Sequence, residues 1–184
     1  MSDWKAVNAQ RLSELYPLLG RRGGAFLDSM FAQGVPCLIT RGLASFEEQA
    51  ALYAKGRTPE EIANRVSKHG QGGAVTDAPP GWSGHPFGMA FDIVPSAQVD
   101  NPQPDWNASH ADWQLALATG PKFGLAEGAK WPRFKDTPHL YLAELNDTPT
   151  DAMRAAYASG GLPAVWAVVD HMLQIPLDPE ITAG

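Results

Sequence analysis

The chain has 184 residues, 44% hydrophobic and 18% charged, with a formal net charge of −6. That length suits one domain with a sizeable core, expected over 1–184 with a motif-bearing centre at about 36–145. The acidic balance and the lack of a Lys/Arg cluster argue against a nucleic-acid partner or an anionic membrane surface. No run approaches the roughly 18 apolar residues of a membrane span. The opening "MSDWKAVNAQRLSELYPLLGRR" spreads its charges and has no apolar h-region, so no secretory signal is read. Cys37 stands alone, which excludes an intrachain disulfide and a cysteine-rich zinc site, and it reads as a small buried hydrophobe.

In chain order, two segments at 12–19 and 26–31 have apolar residues at helical spacing, and "PCLIT" at 36–40 reads as a strand. "SFEEQAALYAKG" opens with Ser45 and Glu48 as a capping box and closes at Gly56. "TPEEIANRVSKHG" repeats this with Thr58, Pro59 and Glu61, and a stop at Gly70. There follows "GQGGAVTDAPPGWSGHPFG", a Gly/Pro-rich loop of a length that is more often functional than idle. "MAFDIV" at 89–94 is the second strand, "SHADWQLALATG" a helix capped by Ser109 with Asp112 behind it and ending at Gly120, and "HLYL" at 139–142 the third strand. "TPTDAMRAAYASGG" starts a helix at Thr148, Pro149 and Asp151, and a last helix runs from 163 to 173. The expected class is α+β: a small antiparallel sheet with helices on one side.

Alternation in "MAFDIV" puts Met89, Phe91 and Ile93 on the core face and Ala90, Asp92 and Val94 on the other. An acid beside a small alanine suggests an open face where something must fit. In "HLYL", Leu140 and Leu142 face the core and His139 and Tyr141 the opposite side. If the two strands pair, Asp92 and His139 share a face, and a turn at Gly88 lets His85 reach them. Two imidazoles and a carboxylate suit zinc and leave a fourth position for water. Asp136, in the loop entering the last strand, is placed to act as a general base beside the metal. Structural polar residues at strand entrances remain the alternative. A serine-hydrolase elbow in "GWSGH" is disfavoured, because His85 stands where glycine is needed and a strand follows instead of a helix. His69, His110 and His171 read as bland, and no H-E-x-x-H is present.

Ser83-x-His85-x-x-Gly88-x-Ala90-x-Asp92, followed by Asp136-x-Pro138-His139, resembles the M15 (VanY/LAS type) zinc peptidases. "ITRGLASFEEQAALYAKGRT" and "FGLAEGAKWPRFKDTPHLYL" are similar to the family's segments on either side, so the likeness spans roughly residues 38 to 142. The resemblance implies a Hedgehog/DD-peptidase-like α+β fold. It implies one zinc ion held by His85, Asp92 and His139, with Asp136 as catalytic base and Ser83 and Gln49 in support. Ala44 stands where the family usually has an arginine thought to meet a substrate carboxylate or the oxyanion, so Arg41 and Arg57 are the candidate substitutes. Tyr141 joins them on the substrate side. "EGAK" at 127–130 departs from the family's Trp-Gly-Gly run.

The implied activity is hydrolysis of a peptidoglycan stem-peptide bond. L-Ala–D-Glu cleavage of the endolysin type comes first, with a D-Ala-D-Ala carboxypeptidase as the alternative. A non-catalytic zinc module binding cell wall or a protein is the alternative of another class. The expected setting is a phage or prophage lysin, monomeric, made in the host cytoplasm and acting on the wall after release.

Overall fold

The computed structural model describes residues 3–68, 71–96, 98–132 and 135–174. Asp3 starts α1 (Trp4–Ser13) by accepting from the backbone N–H groups of Lys5 and Ala6. Pro17 at the first helical position starts α2 (Pro17–Ala32). The apolar run 12–19 is therefore not one helix: the chain turns between Ser13 and Pro17, and the segment expected at 26–31 extends back to residue 17. Two glycines inside α2 act by their size. A Cβ on Gly20 would lie 2.6 Å from the Leu12 carbonyl oxygen, and one on Gly23 would lie 2.8 Å from Leu12 Cδ2 and 3.2 Å from Phe91 Cζ. They let α1, α2 and the sheet approach closely.

The sheet has four antiparallel strands in the order β1–β2–β4–β3: β1 (Cys37–Arg41), β2 (Ala90–Pro95), β3 (Leu125–Glu127) and β4 (His139–Leu142). β3 has three residues, too few for an alternation to show, and it was not expected. One face of the sheet, with Cys37, Ile39, Phe91, Ile93, Leu125, Leu140 and Leu142, forms the core with Leu19, Phe26 and Met30 of α2. Ala116 of α5 (Ala111–Thr119) and Val165 and Val169 of α6 (Asp151–Met172) complete it. These buried side chains supply the main stabilisation, roughly 25 cal/mol per Å² of apolar surface removed from water.

Both capping boxes form as the sequence implies. Ser45 and Glu48 open α3 (Phe46–Ala54), and Thr58 and Glu61 open α4 (Pro59–Ala63). α4 is shorter than expected, since Arg65 takes a positive φ of 50° just after it; the anticipated stop at Gly70 lies outside the described residues. Ser109 does not cap α5. His110 takes that place without a side-chain cap, and Ser109 Oγ donates to Asn107 Oδ1 at 2.7 Å. Thr150, not Thr148, caps α6, accepting from the Met153 N–H. The two helices expected here are both present within this span, separated by the non-helical backbones of Gly160 (φ −154°, ψ 16°) and Gly161 (φ 64°, ψ −153°) just ahead of Pro163. Among the described residues no helix is long and apolar enough to cross a membrane.

Candidate metal centre

The site grows from strand pairing. Asp92 of β2 and His139 of β4 are direct cross-strand partners, so their side chains leave the same face. A single 3₁₀ turn, His85–Phe87, precedes β2, and Gly88 at φ 68° turns the chain into the strand. His85 is thereby folded back over Asp92. Its Nε2 lies 3.2 Å from Asp92 Oδ1, and His139 Nδ1 lies 3.1 Å from the same oxygen. The two rings stand 5.0 Å apart at 78°. One donor atom from each of His85, Asp92 and His139 falls within 4.8 Å of the others. Ala90 does not leave an open face. It is fully buried, with the backbone of Gly84 packed over it, while His139 and Tyr141 line the cleft.

The outer nitrogens of both rings are engaged: His85 Nδ1 meets the Gly42 carbonyl oxygen at 2.9 Å, and His139 Nε2 meets Asp147 Oδ1 at 2.7 Å. That leaves His85 Nε2 and His139 Nδ1 facing Asp92, a donor set that fits a divalent zinc-type ion. Burial alone would raise the Asp92 carboxyl, but His85 and His139 outweigh it and hold it far below the usual carboxylate range. Burial alone would lower His139; Asp147 and Asp92 override it and keep the ring protonated well above its ordinary value.

A cleft of 650 Å³ opens over this centre. Asp136 lines it without joining the three donors. Burial, then the charge of Asp92, raises its carboxyl above the ordinary range. Its backbone is pinned by Asp136 N–H donating to Gly128 O at 3.1 Å, and a Cβ on Gly128 would come within 2.6 Å of the Asp136 carbonyl oxygen. The glycine in "EGAK" thus sets how closely the Asp136 loop packs against β3.

Arg41 also lines the cleft, and a bulge puts it there. Ile39 pairs with Ile93, but Arg41 pairs with Asp92, so Thr40 is the extra residue. Regular pairing would turn Arg41 to the core face with Ile39; the bulge turns it to the site. Its Nη2 donates to Gln49 Oε1 at 2.7 Å, and buried Gln49 in turn donates to the Ala78 carbonyl at 2.7 Å. Ser83 Oγ accepts from the His85 N–H at 3.4 Å, a turn contact at the cleft edge. Tyr141 lines the cleft and accepts from Trp131 Nε1 at 3.2 Å.

Arg57 is not brought to the cleft. Its side chain is fully buried and spent on the carbonyls of Tyr53 and Val66 and on Asp77, which is itself a cleft residue. His110 pairs with Asp105 and His171 closes α6, both away from the centre, while His69 lies outside the described residues. Asp147 is a site residue that no motif revealed, whereas Trp131 belongs to the family-like segment "FGLAEGAKWPRFKDTPHLYL". Trp131 packs 5.1 Å from the His139 ring, centroid to centroid. Cys37 is buried, and burial pushes its thiol up to about 12.

A family model described as D-alanyl-D-alanine carboxypeptidase, of the M15 peptidases, matches residues 76–142, a span that holds His85, Asp92, Asp136 and His139. The peptidoglycan L-alanyl-D-glutamate endopeptidase CwlK of Bacillus subtilis (strain 168) is 30% identical over 149 residues, covering 75% of this chain and 81% of that protein. The crystal structure of the L-Ala D-Glu endopeptidase ChiX of Serratia marcescens aligns at 22% identity over 59% of this chain and 67% of that one, with a TM-score of 0.37. By its identity and coverage against CwlK, and by the family match over the centre itself, this chain belongs to the M15 peptidase family.

Proposed function

We propose that the protein is a zinc-dependent peptidoglycan endopeptidase that hydrolyses the L-Ala–D-Glu bond of the stem peptide. The observation that carries this reading is the gathering of His85, Asp92 and His139 under a cleft that also holds Asp136. Its substrate follows the relative that aligns over most of both chains. His85 Nε2, an Asp92 carboxylate oxygen and His139 Nδ1 would hold a single zinc ion. When bound, zinc supplies a Lewis acid that polarises the scissile carbonyl and acidifies water.

Asp136 is the general base. Its carboxylate takes a proton from the attacking water as the water oxygen adds to the L-Ala carbonyl carbon. It returns that proton to the D-Glu nitrogen as the C–N bond breaks. A raised carboxyl suits a group that must hold the proton between the two steps. Arg41 is the substrate-side cation. D-Glu continues the stem through its γ-carboxyl, so its α-carboxylate is free and lies beside the scissile bond. Apart from Gln49, no described group hydrogen-bonds the Arg41 guanidinium, which leaves donors for a bidentate carboxylate contact. Gln49 aims Arg41, Tyr141 and Trp131 line the cleft beside His139, and Ser83 supports the His85 turn.

The test is mass spectrometry of purified peptidoglycan after incubation with the zinc-loaded protein. Released peptides with a new N-terminal D-Glu support the proposal. Loss of only a terminal D-Ala from pentapeptide stems replaces it with the carboxypeptidase activity named by the family model. No cleavage at all leaves a binding module as the reading.

A further inference from the structure

Asp147 lies on the loop between β4 and α6, outside every motif read from the sequence, yet its Oδ1 is 2.7 Å from His139 Nε2. The Asp147 side chain is 13% exposed and that of His139 4%, so this contact is nearly sealed from water. Its space exists because residue 84 is glycine. A Cβ at Gly84 would stand 2.8 Å from Asp147 Oδ1, 3.2 Å from Ala90 Cβ and 3.3 Å from the Asp147 carbonyl oxygen. Gly84 has φ −67° and ψ −26°, a backbone that any residue adopts, so the glycine serves room and not conformation.

The two imidazoles are held differently. His85 rests on a backbone carbonyl, which the fold supplies whatever the side chains are; His139 depends on one carboxylate brought in from another loop. A carboxylate behind a ligating imidazole fixes the ring's orientation and selects the nitrogen left for the metal. We propose that Asp147 is the positioning residue of the metal centre: it accepts His139 Nε2–H, so that Nδ1 is the ligand nitrogen, and Gly84 is the gap that admits it. This rests on reading His85, Asp92 and His139 as metal ligands. A loop contact with no bearing on the metal would stabilise the fold and leave metal affinity unchanged.

The experiment is equilibrium competition for Zn²⁺ between the full chain and a chromophoric chelator, for the wild type, Asp147→Ala, Asp147→Asn and Gly84→Ala. Asp147→Ala is expected to bind one ion still, about 10- to 100-fold more weakly. Asp147→Asn loses less, because the amide oxygen still accepts Nε2–H in a side chain of the same size; it also covers the case in which the alanine variant fails to fold. Gly84→Ala weakens binding in the same direction, and combining it with Asp147→Ala adds little. In the zinc-loaded wild type, ¹⁵N-labelled His139 should keep its proton on Nε2. Zinc affinity in both Asp147 variants within twofold of the wild type overturns the proposal and leaves the metal site standing. A folded wild type that takes up no zinc overturns the metal reading, and this proposal with it.

Discussion

The cleft has two walls of different construction. The wall carrying His85, Asp92 and His139 is backed by paired strands and by the fully buried side chains of Phe91, Ile93 and Leu140. The opposite wall, from Asp77 to Trp82, has no strand in it. Arg57 and Ser67 hold it through Asp77, and Gln49 holds it through the Ala78 carbonyl. The first wall is fixed by a backbone ladder over a core, which sets the spacing of the three donor atoms. The second hangs on a few side-chain contacts, and its geometry can change when one is removed. The three proposed metal donors sit on the first wall, and Arg41 reaches from its edge strand to the second through Gln49.

The largest test of this division is Asp136→Ala. Asp136 stands beside the three donors and is not one of them, so the variant should bind one zinc as the wild type does. Turnover should fall by about 10²- to 10⁴-fold, the range for a positioned acid–base group. Zinc titration alongside single-turnover kinetics checks both halves. Loss of zinc together with activity would place Asp136 on the metal and break the separation between ligand and base.

Removing Arg41 probes the joint between the walls. A hydrogen bond to a charged group contributes roughly 1.5–3 kcal/mol, so Arg41→Gln should lower kcat/KM by about 10- to 100-fold on stems with a free D-Glu α-carboxylate. The wild type should prefer such stems over those whose α-carboxyl is amidated, and Arg41→Gln should level the two. Arg57→Gln loosens the second wall but leaves that preference intact, because Arg57 is spent on Tyr53, Val66 and Asp77. Steady-state kinetics on paired synthetic stems reads both ratios.

How much the sequence revealed follows the same line. Asp92 and His139 were legible because strand alternation is a local rule and the strands are backed by an equally legible core, and His85 because Gly88 marks the turn just before the strand. Arg41 could be named but not placed, since its face depends on a bulge at Thr40 that flips the parity after Ile39, and no residue there announces it. Arg57 looked equally suitable; its burial beneath the 71–83 loop depends on a tertiary contact with Asp77. Asp147 was silent because its role comes from a gap at Gly84, 63 positions away in the chain. β3 was missed for want of length.

The rigid wall also predicts how zinc uptake depends on pH. In the metal-free protein the carboxylates of Asp147 and Asp92 keep His139 protonated well above its ordinary value. The ligand nitrogen must lose that proton, so affinity should rise about tenfold per pH unit through neutrality and level off once His139 titrates by itself. Calorimetry in buffers of differing ionisation enthalpy should show close to one proton released per zinc. No proton release would mean that the imidazole is already neutral and the carboxylates around it are weaker than the geometry implies.

The smallest effect separates the walls by stability. Cys37, on β1, has its thiol pushed up to about 12 by burial, then by the charge of Asp112, while in the unfolded chain it ionises near its ordinary value. Between those two pH values the unfolded chain binds fewer protons than the folded one, so stability falls as pH rises, by up to ~1.4 kcal/mol per unit for this group. Urea unfolding at pH 8 and pH 10 should show a steeper loss for the wild type than for Cys37→Ala, whose lower baseline does not enter the comparison of slopes. At neutral pH a thiol reagent should label Cys37 only at the rate of global unfolding. Proteolysis within the 71–83 loop should proceed faster, and faster still in Arg57→Gln. If labelling and cleavage kept pace with each other, the two walls would open as one unit, and the side-chain clasp on Asp77 would be as firm as the strand ladder.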